Sequence, residues 1–295
     1  MTSPKLRYRP GGARILSPLP ALFGALAVGA VLLAPPAKAD ESPFASIYTT
    51  EVLPQGAKEF EQWLTWKHKK PQEQFDLIEG RSEIEYGFSN RFLGSLYLNY
   101  EHSKIEPQGP GAPDDADDTT KFTGVNAEFI YQVLNPITDP FGFALYFEPS
   151  IGDGERALEF KLLFQKNFFD DRLILAANLN AEFEWEHDDA LGIWEHGSAF
   201  EIYLGASYRF APGWYGGVEL LNENGFEGHF SRAADNAFYF GPTIHYASEN
   251  WWATLGVFAQ LPWAGNPADE PDAISNGYLV DAERMRLRFR LGILF

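Results

Sequence analysis

The sequence predicts an all-β protein, a transmembrane antiparallel β-barrel of about twelve strands (about ten or fourteen being the alternatives), preceded by a cleaved signal peptide. Three observations predict it. Apolar and polar residues alternate with period two from about residue 57 to the end. The links between these runs alternate between short turns and longer acidic loops. After the first forty residues, no hydrophobic run approaches the ~18 residues of a membrane helix, so membrane passage after export requires strands closed into a barrel.

The leader carries Lys5, Arg7, Arg9 and Arg14, then an apolar run from Ile15 to Ala34, then Ala37-Lys38-Ala39 with small residues at the two positions a signal peptidase reads. Cleavage is expected before Asp40. The organisation predicted is therefore residues 1–39 as signal peptide, 40–55 as a periplasmic N-terminal segment, and 56–295 as the barrel. Whether residues 40–55 plug the lumen from below is left open by the sequence. The leader holds basic and no acidic side chains, so the mature chain is more acidic than the formal charge of -18. A chain so acidic is repelled by phosphates, which excludes nucleic acid as a partner. Without cysteine it has neither disulfides nor thiolate metal sites.

Along the barrel, EFEQWLTWKH sets Phe60, Leu64 and Trp66 against Glu59, Glu61, Thr65 and Lys67. Next, IEGRSEIEYGF sets Ile78, Ile84, Tyr86 and Phe88 against Glu79, Arg81, Glu83 and Glu85. The stretches LEFKLLFQ and LAANLNAEFEWEH repeat the pattern, the second opposing Leu175, Leu179 and Phe183 to Asn178, Asn180, Glu182 and Glu184. The last strand, RMRLRFRLGILF, alternates Arg284, Arg286, Arg288 and Arg290 with Met285, Leu287, Phe289 and Leu291. Short links fall at Ser89-Asn90, 135–140, Asp170-Asp171, 211–213 and 248–250, and longer acidic ones at 103–120, 187–198, 222–236 and 262–281. An even strand count puts every short link on one side, the periplasmic one. Aromatics crowd the turns (Tyr86, Phe88, Phe92, Phe141, Phe143, Phe168, Phe169, Phe210, Trp214, Tyr215, Trp251 and Trp252), as membrane-interface girdles require.

The terminal Phe295, with apolar residues at alternate positions before it, resembles the C-terminal signal read by the bacterial outer-membrane barrel assembly machinery. That pattern places its glycine earlier than Gly292. The stretches YTTEVLPQGAKEFEQWLTW and EIEYGFSNRFLGSLYLNY resemble outer-membrane transporter barrels of the MetA-pathway phenol-degradation type. The resemblance implies a Gram-negative outer-membrane location among lipid and lipopolysaccharide, assembly through Phe295, and transport of small solutes. It hints at aromatic or other hydrophobic compounds, for which a charged lumen is not an obvious route.

With the greasy faces toward lipid, the charged faces line the lumen. The lumen candidates are Glu59, Glu61, Glu79, Arg81, Glu83, Glu85, Glu182 and Glu184 with the row Arg284, Arg286, Arg288 and Arg290. Tight pairing of the first three strands predicts Lys67 beside Glu79 and Glu101, Trp63 beside Glu83 and Tyr97, and Glu61 beside Glu85 and Ser95. Closure puts the arginine row against Glu59 and Glu61. Two outcomes are open: a wet pore with a transverse field, or an interior locked by ion pairs. Surplus carboxylates predict a preference for cationic or neutral solutes if the pore conducts.

No catalytic constellation, cofactor motif or metal-ligand spacing stands out. Of the six histidines, His68, His102, His187, His196, His229 and His245, five lie near the predicted outer loops and read as polar rim residues, including His187 beside Asp188 and Asp189. Ser82 with His68 is the nearest approach to a hydrolase pair, two rungs beyond bonding reach. PDDADD lacks the spacing of a calcium loop. The expected function is a passive channel or transporter; a non-conducting structural or surface-binding barrel is the alternative, and an outer-membrane hydrolase the remaining one.

Overall fold

The computed structural model describes residues 42–70, 73–107, 117–265 and 273–295. The expected signal peptide, residues 1–39, and most of the PDDADD loop lie outside the described residues. The strands are β1 (Lys58–Lys70), β2 (Glu73–Ser89), β3 (Phe92–Pro107), β4 (Asp117–Leu134), β5 (Gly142–Gly152), β6 (Glu155–Phe168) and β7 (Leu173–Asp188). They continue with β8 (Ile193–Ala211), β9 (Trp214–Glu227), β10 (Arg232–Ala247), β11 (Trp251–Gln260), β12 (Ile274–Ser275), β13 (Tyr278–Leu279) and β14 (Met285–Leu294). Twelve of them close an antiparallel barrel in the order β1-β14-β11-β10-β9-β8-β7-β6-β5-β4-β3-β2, and β12 and β13 form a separate small hairpin. Closure leaves no sheet edge, so every spanning strand has both neighbours for its backbone hydrogen bonds.

The alternation decides the faces. Ile84 is 58% exposed and Leu96 63% exposed, while Glu83 is 0% and Glu61 4% exposed. Exposed aliphatic side chains beside buried carboxylates invert the arrangement of a water-soluble protein and suit a barrel surrounded by lipid. Two aromatics depart from the expected girdle: Tyr215, which packs against the buried cluster around Phe44, and Trp252. Trp251 is exposed on the outside, but Trp252 is buried inside, where its indole N–H donates to Glu59.

The short turns lie where expected, at the end where β1 begins and β14 finishes. At Phe169, Asp170 and Asp171 three successive residues take positive φ (56°, 53° and 58°), which reverses the chain between β6 and β7. The opposite end differs from the sequence expectation. Residues 187–198 and 222–236 are mostly strand, with β7 and β8 joined by 189–192 and β9 and β10 by 228–231. Gly192 (φ 66°) and Gly228 (φ 61°) supply those tight turns. Polar side chains mark where the strands leave the hydrocarbon, and the ladder simply continues beyond it.

Register was half legible. Between β2 and β3 the predicted pairs Glu79–Glu101, Glu83–Tyr97 and Glu85–Ser95 are the observed ones. Between β1 and β2 the register is displaced by two residues: Trp63 pairs with Arg81, Glu61 with Glu83, and Lys67 with Leu77. A bulge between His68 and Lys70, with Lys69 at φ 66°, absorbs a residue that no hydrophobic pattern reveals. A two-residue displacement keeps every side chain on its face, so Lys67 still reaches Glu79 diagonally at 2.7 Å.

Candidate functional site

The inner face is held by charge pairs, and half of the sequence-selected residues, Glu61, Glu79, Arg81, Glu83, Arg286 and Arg290, join them. Arg81 bonds Glu83 at 2.6 Å and Glu128 at 2.8 Å, and its guanidinium lies 3.5 Å from the centre of the Tyr97 ring. Glu83 also accepts a hydrogen bond from the Ser95 hydroxyl. Arg290 bonds Glu61 at 3.2 Å and lies 3.8 Å over Trp63, whose indole N–H donates to Glu61 at 2.6 Å.

The arginine row does not face Glu59 and Glu61 as a unit. In the β1–β14 ladder Arg286, Arg288 and Arg290 pair with Lys67, Thr65 and Trp63, and only Arg290 bonds Glu61. Arg286 turns to Glu223 at 2.6 Å and Glu283 at 2.7 Å, and Arg284, just before β14, donates to Gln260 at 2.8 Å. Burial raises the Glu283 carboxyl, but neighbouring Arg286 outweighs it and holds the group below the usual carboxylate range. Arg288 has no acidic partner among the described residues; it donates to Thr65 Oγ1 at 2.9 Å and Ser46 Oγ at 3.3 Å.

Ser46 belongs to the segment whose place the sequence left open. Residues 42–53 run inside the barrel, in the half nearer the short turns, and Phe44, Ala45 and Ile47 are completely buried. Inner-face side chains take the place of a neighbouring strand. Ala45 and Ser46 donate their amides to the Glu219 carboxylate at 2.6 and 2.9 Å. Asn178 both accepts from the Tyr48 amide (2.8 Å) and donates to the Tyr48 carbonyl (2.9 Å). Gln165 accepts from Thr50 N at 2.9 Å, and Gln132 donates to Thr50 O at 2.8 Å. Arg290 donates to the Phe44 carbonyl at 3.2 Å. Buried backbone groups demand such partners, and here the inner wall supplies them. Phe44 and Ile47 pack with Ile174, Leu221 and Phe258 inside the barrel, joined by Leu279 of the β12–β13 hairpin. Burial pushes the Tyr48 phenol up from its ordinary range.

Glu219, Asn178, Gln165 and Gln132 were not among the sequence candidates, although their parity placed Asn178 and Gln165 on the polar face. Their signal was an inner face of amides in place of charges, opposite a short segment with Phe44, Ile47 and Tyr48 ahead of the first strand.

Beyond this segment lies a cavity of about 550 Å³, lined by Ser46 and Tyr48 below and by barrel side chains around. Its lining carries both signs, with Glu79 beside Arg81 on β2 and Lys161 beside Glu159 on β6. Arg81 on β2 and Arg288 on β14 stand on one side. In the closed strand order β8, with Glu201, lies six places from β2, and β6, with Glu159, lies six places from β14. Glu182 on β7 lies between them. Glu159 is paired with Lys161 at 2.9 Å, whereas Glu182 makes no hydrogen bond or ion pair among the described residues. Glu184, one inward position further along β7, is exposed.

Two carboxylate triplets, Glu59/Glu61/Glu85 and Glu83/Glu85/Glu128, bring their oxygens within 4.8 Å of one another, hard donors of the kind that suit a divalent cation. The histidines have separate partners: His68 bonds Asp76 at 2.7 Å, His187 bonds Asp189 at 2.8 Å, and buried His245 bonds Thr254 at 2.7 Å. Ser82 donates to Gln62 at 2.8 Å, so it and His68 bond different residues.

A family model matches residues 36–295, which spans the whole barrel and the segment inside it. The chain belongs to DUF6662, a family of unknown function. No curated protein matches this DUF6662 chain. Among solved structures it is similar to the COG4313 outer membrane channel from Pseudomonas putida F1, at 12% identity and a TM-score of 0.59 over 83% of this chain and 98% of that one. It also aligns with the KdgM porin, at 13% identity and a TM-score of 0.45 over 80% of this chain and 98% of that one. The first likeness establishes for this DUF6662 member the fold of an outer-membrane barrel.

Proposed function

We propose that the protein is a passive outer-membrane channel for small solutes, with its bore set by residues 42–53. One observation carries this: a cavity lined by charged side chains continues down to a segment held by side-chain hydrogen bonds, not by a strand ladder. Non-covalent contacts of that kind restrict a path without sealing it permanently. Among the described residues Glu182, Glu184 and Glu201 lack basic partners, against one inward arginine, Arg288, without an acid, while Arg81, Arg286 and Arg290 are paired, and this surplus favours cationic or neutral solutes. The resemblance to phenol-degradation transporters would add hydrophobic substrates, and the charged lining does not support them.

A second reading, a barrel closed by its ion pairs, is favoured by the Arg81–Glu83–Glu128 cluster, whose two carboxylates are buried. Planar-bilayer recording in a salt gradient separates the two. The channel reading expects a small cation-preferring current from the whole protein and a larger one from a variant lacking residues 42–53. Silence from both, with the barrel shown to be folded, supports the closed barrel, and an anion-selective current overturns the polarity.

A further inference from the structure

We propose that the cavity above residues 42–53 binds linear zwitterions whose opposite charges lie about a nanometre apart, short peptides of about three residues being the fitting class. This rests on reading the lumen as a route for solutes. Arg288 and Glu182 both face the cavity without an oppositely charged partner among the described residues. Arg288 lines the cavity with no carboxylate partner among the described residues, its guanidinium aimed by Thr65 and Ser46. Glu182 lines the same cavity across the barrel with no base, amide or hydroxyl bonded to it among the described residues. Every other guanidinium on that side is engaged: Arg81 by Glu83 and Glu128, Arg290 by Glu61.

Separation selects the ligand. Twelve strands at ~4.8 Å spacing and ~40° tilt give a backbone diameter of ~24 Å, and extended Arg and Glu side chains leave roughly 10 Å between their charged ends. An α-amino acid is too short to touch both. An extended tripeptide, at about 3.3–3.6 Å per residue, places its carboxylate and ammonium about 10 Å apart. Its carboxylate suits the planar fork of Arg288 and its ammonium suits Glu182, with Glu201 on the adjacent strand. Tyr48, Trp63 and Tyr203 add rings to the cavity lining, and Asn99, Asn126 and Asn180 add amides whose Nδ2 groups are bound to Asn126, Glu148 and Glu201. A cavity of about 550 Å³ is within the ordinary range for small-molecule sites.

Equilibrium dialysis of the folded full-length protein against labelled triglycine tests the site. Saturable binding is expected, weakened about tenfold or more by Arg288→Gln and by Glu182→Gln, each of which removes one charge-assisted contact. N-acetyl-triglycine amide, without charged ends, is expected to bind no better than those variants bind triglycine. Heat-modifiable migration verifies that each variant is a folded barrel, and Arg288→Lys, which keeps the charge, is expected to restore part of the affinity. Equal binding of triglycine and its blocked analogue overturns the proposal, as does putrescine binding as tightly as triglycine. Bilayer recording on the same preparation separates the two readings. Binding by a silent protein removes the channel and keeps the site, whereas a current without binding removes the site and keeps the channel.

Discussion

Ala45 and Glu219 are 174 positions apart in the chain, yet the Ala45 amide donates to the Glu219 carboxylate at 2.6 Å inside the barrel. The same carboxylate takes the Ser46 amide at 2.9 Å, so one side chain satisfies two consecutive backbone donors. Glu219→Gln leaves one acceptor and turns an NH2 toward the second amide. Hydrogen exchange at Ala45 and Ser46 is expected to accelerate about tenfold or more, each charge-assisted bond being worth ~1.5–3 kcal/mol. Unchanged protection at both amides would show that the apolar contacts of Phe44 and Ile47 hold the segment unaided.

Arg290 is almost fully buried between Glu61, the Phe44 carbonyl and Trp63. Arg290→Met leaves Glu61 charged and buried without its base, and is expected to cost roughly 3–5 kcal/mol in urea unfolding of the detergent-folded barrel. Adding Glu61→Gln, which keeps an acceptor for Trp63, is expected to recover most of that loss. Full additivity of the two substitutions would contradict a direct coupling.

Gly292 sits where the inner face of β14 passes Glu59 and Trp252, and a Cβ there would overlap both side chains. Gly292→Ala is expected to destabilise the barrel by ~1–3 kcal/mol, read as a lower temperature for loss of heat-modifiable migration. Gly216→Ala is the control, because its nearest neighbour, a Phe210 ring carbon, lies at an ordinary 3.5 Å.

The lipid-facing surface is tested at Leu204, which is 46% exposed on β8. Leu204→Lys is expected to cost ~2–4 kcal/mol when the protein folds into bilayers. A negligible cost there would mean that this face is not in hydrocarbon.

Acid is expected to loosen the segment before β14. Glu283 keeps its charge below the usual carboxylate range, so its pairing with Arg286 stabilises the fold fully above the unfolded carboxylate pKa and is lost as pH falls through the lower native value. Hydrogen exchange at Val280, whose amide bonds Ala273 O at 2.8 Å, is expected to quicken below pH ~4. Glu283→Gln is expected to remove that pH dependence.

The sequence by itself determined the barrel, a strand number of about twelve, the short turns at the end where β1 begins, and the face on which each candidate carboxylate and arginine lies. Those properties depend on local period and parity, which survive a two-residue displacement of register such as that between β1 and β2. Only the tertiary structure decided which charges meet. Arg286 chose Glu223 and Glu283 over β1, and Arg288 has no acid among the described residues, because partners across a lumen are set by ring order and by the β1–β14 register. It also decided that residues 42–53 fill part of the bore. Their hydrogen-bond partners, Glu219, Asn178, Gln165 and Gln132, are scattered along four strands and converge only when the barrel closes.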